Sequence, residues 1–228
     1  MVIKTVAVLG AASLALAACS SGGDEAATEE TATAEATEEV VEEEVVEETT
    51  EEAAGECANT TLVIGSLLPA TGDLAFLGPP EFAGMEKAIA EIDAGGGVLG
   101  QPVTYIEGDS GDTTTDIASQ TVDSQLSQGV QAIVGAASSG VSLTVIDKIS
   151  SNGVVQMSPA NTAPALTTYP DNGLYFRVSP SDVLQGAVIA NTAVDSGITK
   201  MAVIARQDPY GEGLKDATVK DFEAAGGT

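Results

Sequence analysis

Four hydroxyl side chains, Ser138, Ser139, Ser158 and Thr162, stand in two loops that each follow a short apolar run, within VQAIVGAASSGVSLTVIDKISSNGVVQMSPANTAP. Ligands of parallel α/β sheets dock at the carboxyl ends of the strands, where such hydroxyls can hydrogen-bond a small polar molecule. Nucleophilic chemistry fits poorly, because the sequence contains no His to act as the base of a Ser-His-Asp or Cys-His arrangement. Imidazole is equally absent as a metal ligand, and Ser138-Ser139-Gly140 does not satisfy GxSxG. The residue types therefore point to binding without catalysis or cofactor. Ser139 begins, or nearly begins, a helix through Val145, whose free N–H groups and dipole favour an anion by ~0.3–1 kcal/mol. Capping of that helix and ligand capture remain equally open readings of Ser138 and Ser139.

The elements that must hold these loops repeat one grammar. Leu62 to Leu68 is an apolar run fit for a buried parallel strand, followed by the loop PATGDLAFLGPP. Pro80 opens a helix that carries Phe82, Met85, Ile89 and Ile92 at helical spacing until Gly95. Val103 to Glu107 is the next strand, and a helix from about Thr114 to Gln128 follows, with Asp112 or Thr113 as N-cap. Val130 to Val134, a helix from Ser142 to Ser151, Val154 to Met157 and Tyr175 to Val178 continue the series. Strands alternating with helices of this length predict an α/β fold with a parallel, doubly wound sheet. After Ser179-Pro180 the pattern starts afresh: Asp182 caps a helix to about Ser196, Lys200 to Ala205 is a strand, and Gly211 to Ala225 is a helix. Since isolated strand pairs are marginal, the expectation is a second lobe that is incomplete at Thr228.

Two further patterns resolve into structural roles. Gly95-Gly96-Gly97-Val98-Leu99-Gly100 matches GxGxxG literally, but it ends a helix and precedes a strand, the reverse of a dinucleotide site. Asp109, Asp112 and Asp116 lack the alternating spacing and terminal Glu of a calcium loop, so they read as turn and cap residues.

Charge and the N-terminal segment bound the setting. A net charge of -26 with only 8 Lys and Arg excludes nucleic acid as a partner, because phosphate contacts need clustered cations. Lys4, the apolar run Val6 to Ala18 and Leu16-Ala17-Ala18-Cys19 have the layout of a secretory signal over 1–19, too short to span a membrane. Residues 20–57 are almost entirely Glu, Thr, Ala and Val, which predicts an acidic, disordered tether. Its competing reading is a helix striped by Val40, Val41, Val45 and Val46, opposed by like charges at i,i+4.

The order LLPATGDLAFLGPPEFAGMEKAIAEIDAGGGVLG, GAASSG, SPANTAPALT and DPYGEG resembles the type I periplasmic binding proteins, in the branched-chain amino acid receptor branch. The resemblance implies a two-lobed fold of doubly wound parallel sheets, with the first ligand-binding lobe at 58–179 and a truncated second lobe at 180–228. It implies that Ser139 meets the carboxylate of an amino-acid-like ligand, with Ser138 in the same loop. Ala160 offers its carbonyl to the ammonium, Thr162 places its hydroxyl between the two ends, and Tyr210 closes from the second lobe. Leu77, with Phe76 beside it, stands where the family commonly has an aromatic residue. The acidic partner of the ammonium falls beyond Thr228, so weak or absent binding by this fragment is expected.

LAAC likewise resembles a lipobox, with Cys19 lipidated and the protein anchored outside the cytoplasm. A free thiol oxidises there, so Cys57 is expected to pair with a Cys beyond Thr228. The implied function is a solute-binding receptor, not an enzyme, that serves an ABC transporter permease. The alternative is the ligand-sensing extracellular domain of a signalling system.

Overall fold

A computed structural model of the chain describes residues 60–228. The signal segment, Cys19, the acidic tether and Cys57 lie outside the described residues. Five strands form one parallel sheet: β1 Val63–Leu67, β2 Thr104–Ile106, β3 Ala132–Gly135, β4 Val155–Ser158 and β5 Tyr175–Arg177. Their order is β2-β1-β3-β4-β5, with Ile64 opposite both Tyr105 and Ala132, and Gln156 opposite Ile133 and Tyr175. Chain order reverses between β1 and β3, so the loops leaving their carboxyl ends diverge and open a crevice there.

Helices α1 Gly78–Ala94, α2 Ile117–Ser127 and α3 Ser139–Ser151 alternate with β1 to β4, and α4 Asp182–Asp195 and α5 Pro209–Ala224 follow β5 in succession. α2 and α3 press Val122, Val141, Val145 and Ile149 against Leu67 and Ile133, all fully buried or nearly so. A second cluster of Ile146, Ala163, Leu166 and Tyr175 lies under the β4–β5 connection. Burial alternates along β4, where Gln156 and Ser158 are buried while Met157 on the opposite face is 44% exposed. Ala190, Ala193 and Phe222 join α4 to α5. No helix among the described residues is long and apolar enough to cross a membrane.

Several starts differ from expectation for identifiable reasons. The first helix begins at Gly78, ahead of Pro80, because a 3-10 turn over Ala75–Leu77 already sets the helical direction. α2 begins at Ile117 rather than Thr114, because Asp112 bonds the N–H and hydroxyl of Thr114 and keeps that segment in a turn. Neither Asp112 nor Thr113 is therefore its cap; Asp116 holds that position without a side-chain bond. α3 starts at Ser139, three residues before the expected Ser142, with Ser138 Oγ accepting the Val141 N–H.

After β5, Ser181 caps α4 in place of Asp182, which becomes its first residue. The expected strand Lys200–Ala205 is not formed. A β-prone sequence becomes a strand only by pairing, and no strand lies beside these residues among those described. Met201 instead bonds its N–H to the Thr228 carbonyl at 2.9 Å, and Ile204 is 98% exposed.

Candidate functional site

At the carboxyl ends of β1, β3 and β4, a cavity of about 260 Å3 is closed on its far side by α4 and the start of α5. Six of the residues singled out from the sequence line it: Leu77 from the first loop, Ser138 and Ser139 from the second, Ala160 and Thr162 from the third, and Tyr210 from α5. Ser158, expected with them, is instead fully buried beneath it, its hydroxyl spent on the Ala136 carbonyl and the N–H groups of Ala160 and Asn161. Phe76, beside Leu77, points away and is 73% exposed. Sequence reasoning missed Leu74, Ala137, Gln185, Arg206 and Asp208, which complete the wall. Asp208-Pro209 is a cap-then-proline helix start, a signal that could have found Asp208.

A buried polar frame fixes the second and third loops to each other. Asn161 donates from its amide nitrogen to the carbonyls of Ala136 (3.0 Å) and Ala137 (2.9 Å), and accepts the Tyr175 hydroxyl at 2.8 Å. Ser158 donates its hydroxyl to the Ala136 carbonyl and accepts the N–H groups of Ala160 and Asn161. Burial pushes the Tyr175 phenol up to about 12. The first loop is held by Asp109, which accepts the N–H groups of Ala70, Thr71 and Gly111 and the Thr71 hydroxyl. Burial pushes the Asp109 carboxyl up, but these bonds outweigh it and hold the group below its ordinary range.

Within that frame the two site hydroxyls have opposite polarity. Ser139 Oγ accepts the N–H of Thr162 at 3.2 Å and of Ala163 at 3.3 Å, which occupies its lone pairs and frees its hydrogen to donate. Thr162 Oγ lies 3.0 Å from Asp182 Oδ2; an ionised carboxylate only accepts, so Thr162 donates there and keeps lone pairs for a ligand. Among the described residues the Ala160 carbonyl accepts no hydrogen bond. One end of the cavity therefore donates and the other accepts.

Across the opening, Arg206 Nε donates to Asp208 Oδ2 at 2.8 Å, and its guanidinium lies 3.8 Å from Asp73 of the first loop. Asp208 Oδ1 also accepts the Gly211 N–H and caps α5, so one carboxylate sets both the helix start and the arginine. No cluster of three or more potential metal ligands occurs among the described residues.

The family model described as Periplasmic binding protein matches residues 61–228. The chain is 32% identical over 178 residues to the Leu/Ile/Val-binding protein homolog 2 of Brucella abortus, covering 76% of this chain and 47% of that protein. Among solved structures, the leucine binding protein LivK of Thermotoga maritima matches with a TM-score of 0.65 at 26% identity, over 73% of this chain and 47% of that one. An ABC transporter substrate-binding protein of Desulfitobacterium hafniense, solved in complex with Leu, matches with a TM-score of 0.60 at 29% identity, over 74% and 49%. The chain thus spans about half the length of the relatives it matches. With four collinear motifs, a family model covering 61–228 and a solved neighbour at a TM-score of 0.65, the chain belongs to the type I periplasmic binding proteins.

Proposed function

We propose that this chain supplies the first lobe and part of the second lobe of an extracytoplasmic receptor that captures a small α-amino acid, or a related amide or carboxylate, for an ABC importer. The observation that carries the reading is the pairing of a donor hydroxyl at Ser139 with an acceptor hydroxyl at Thr162 on facing loops of one cavity. A zwitterion needs donors at its carboxylate and acceptors at its ammonium, and each site group is left unpaired if the wrong ligand enters. Ser139 and the first turn of α3 take the carboxylate. The Ala160 carbonyl and Thr162 Oγ take the ammonium, Leu74, Leu77 and Ala137 face the side chain, and Tyr210 closes over it.

Binding alone does the work: no bond is made or broken, and the free energy of lobe closure comes from contacts that exist only with ligand present. The names of the relatives support a branched-chain amino acid as ligand and a transporter as partner. Lipidation of Cys19, with residues 20–57 as tether, places the receptor at the membrane surface.

The reading is tested by titrating the chain with leucine and following backbone amide resonances. Weak, saturable shifts centred on Ser139, Ala160 and Thr162, lost in Ser139→Ala, are expected. Saturable shifts centred elsewhere, or unchanged in that variant, would overturn it. Calorimetry giving nanomolar affinity for this chain would refute the expectation that the site needs further second-lobe residues.

A further inference from the structure

Asp182 is fully buried, yet it lies behind the wall of the cavity rather than in it. Its Oδ2 accepts the Thr162 hydroxyl at 3.0 Å, its Oδ1 accepts Gln185 Nε2 at 3.2 Å, and its own N–H donates to the Thr162 carbonyl at 2.8 Å. Both side chains it holds are cavity-lining residues. The nearest cation, Arg177, spends its guanidinium on the Ala163 carbonyl and the Thr167 hydroxyl, and so acts on Asp182 only from a distance. A carboxylate placed here without a salt bridge costs the fold. Burial accordingly raises its carboxyl above the ordinary range, against the opposing effects of the Thr162 hydroxyl and Arg177.

Resting on the receptor reading above, we propose that Asp182 is the positioning residue that sets the chemical preference of the site for an amine. By taking the hydrogen of Thr162, it presents only lone pairs to the ligand. An ammonium at that point is bonded; a carbonyl oxygen at the same point meets an acceptor and is rejected. Without Asp182 the Thr162 hydroxyl turns freely and donates as readily as it accepts, so the discrimination collapses. A neutral side chain with one acceptor oxygen serves as a partial substitute, because the Gln185 amide can flip to meet the other half of an asparagine.

Two arms test this on the chain as it stands. The first needs no ligand: exchange of the Thr162 hydroxyl proton with solvent, read from the isotope effect on its Cβ resonance, is expected to be slow. In Asp182→Ala it becomes as fast as that of an exposed threonine, with Asp182→Asn in between. Fast exchange in the unaltered protein overturns the assignment. The second arm compares leucine with 4-methyl-2-oxopentanoate, which carries an acceptor oxygen in place of the amine. The unaltered chain is expected to favour leucine by at least tenfold. Asp182→Ala narrows that ratio by about tenfold, Asp182→Asn keeps most of it, and in Thr162→Val the change at residue 182 has little further effect. If Asp182→Ala changes the ratio as much in the Thr162→Val background, the carboxylate acts on the ligand by charge and the positioning role fails. Should the unaltered chain bind neither acid, the receptor reading gains no support and the exchange arm decides: slow exchange lost in Asp182→Ala upholds the assignment, and fast exchange in the unaltered protein overturns it.

Discussion

Tyr175 donates its phenolic hydrogen to Asn161 Oδ1 at 2.8 Å, and through this bond the edge strand β5 supports the loop that carries Ala160 and Thr162. The same asparagine satisfies two carbonyls of the β3 loop. Removing it leaves the Ala137 carbonyl and the Tyr175 hydroxyl without partners, since Ser158 still bonds the Ala136 carbonyl, a cost of about 1–3 kcal/mol for each group that water cannot reach. Asn161→Ala is expected to lower unfolding stability by ~2–4 kcal/mol in denaturant melts. With Tyr175→Phe already in place, the second loss should be smaller than in the parent. Strict additivity would show that the two side chains do not support each other.

Alkaline stability reports on the same phenol. Its folded value is about 12 and its ordinary value about 10. A group whose folded value is raised stabilises fully below its ordinary value, and that contribution drains away as pH rises through the folded one. Unfolding midpoints should therefore fall from pH 10 to 12, and less steeply in Tyr175→Phe. Equal slopes in the two proteins would contradict this.

Close approach of α5 to the β4–β5 connection depends on Gly213, where an added Cβ would stand 2.6 Å from Cδ of Pro164. The proline ring cannot swing aside, so Gly213→Ala forces the helix outward at ~1–3 kcal/mol. Pro164→Ala in the same chain should restore a large part of the loss. A Gly213→Ala melt matching the parent would show that α5 has slack at this contact.

Loop order around Leu74 and Leu77 rests on Asp109. Its carboxyl is held below the ordinary range, so its contribution is present at neutral pH and is lost as pH falls through that lowered value. In Asp109→Ala, hydrogen exchange at Ala70, Thr71 and Gly111 should speed up while exchange in β4 stays as before. Uniform acceleration across the sheet would instead mark a global loss of stability.

Sequence pattern located the hydroxyl loops because apolar runs ending in small polar residues report directly on strand ends, and Ser139 and Thr162 indeed meet. Of the two readings open for the serines, capping is met by Ser138, whose Oγ accepts the Val141 N–H, while Ser139 Oγ turns to the third loop. What the pattern missed depends on how distant elements meet. Gln185 on α4 and Arg206, just ahead of α5, reach the cavity from segments remote in sequence from the hydroxyl loops. Asp182 reads as a cap in one dimension and proves to be the partner of Thr162 in three. Residues 200–205 have strand-forming composition, but composition cannot supply a neighbour to pair with.

The place of β1 in the sheet bears on how the chain is made. Among the described residues β1 is the first strand in sequence, yet it lies between β2 and β3, with Val63 opposite Thr104 and Leu67 opposite Gly135. During synthesis its apolar residues leave the ribosome well before either flank exists, and both pairings close long loops at an entropic cost. β1 must wait for Gly135 before both flanks are paired, so the growing chain exposes VIGSL for the whole of that interval.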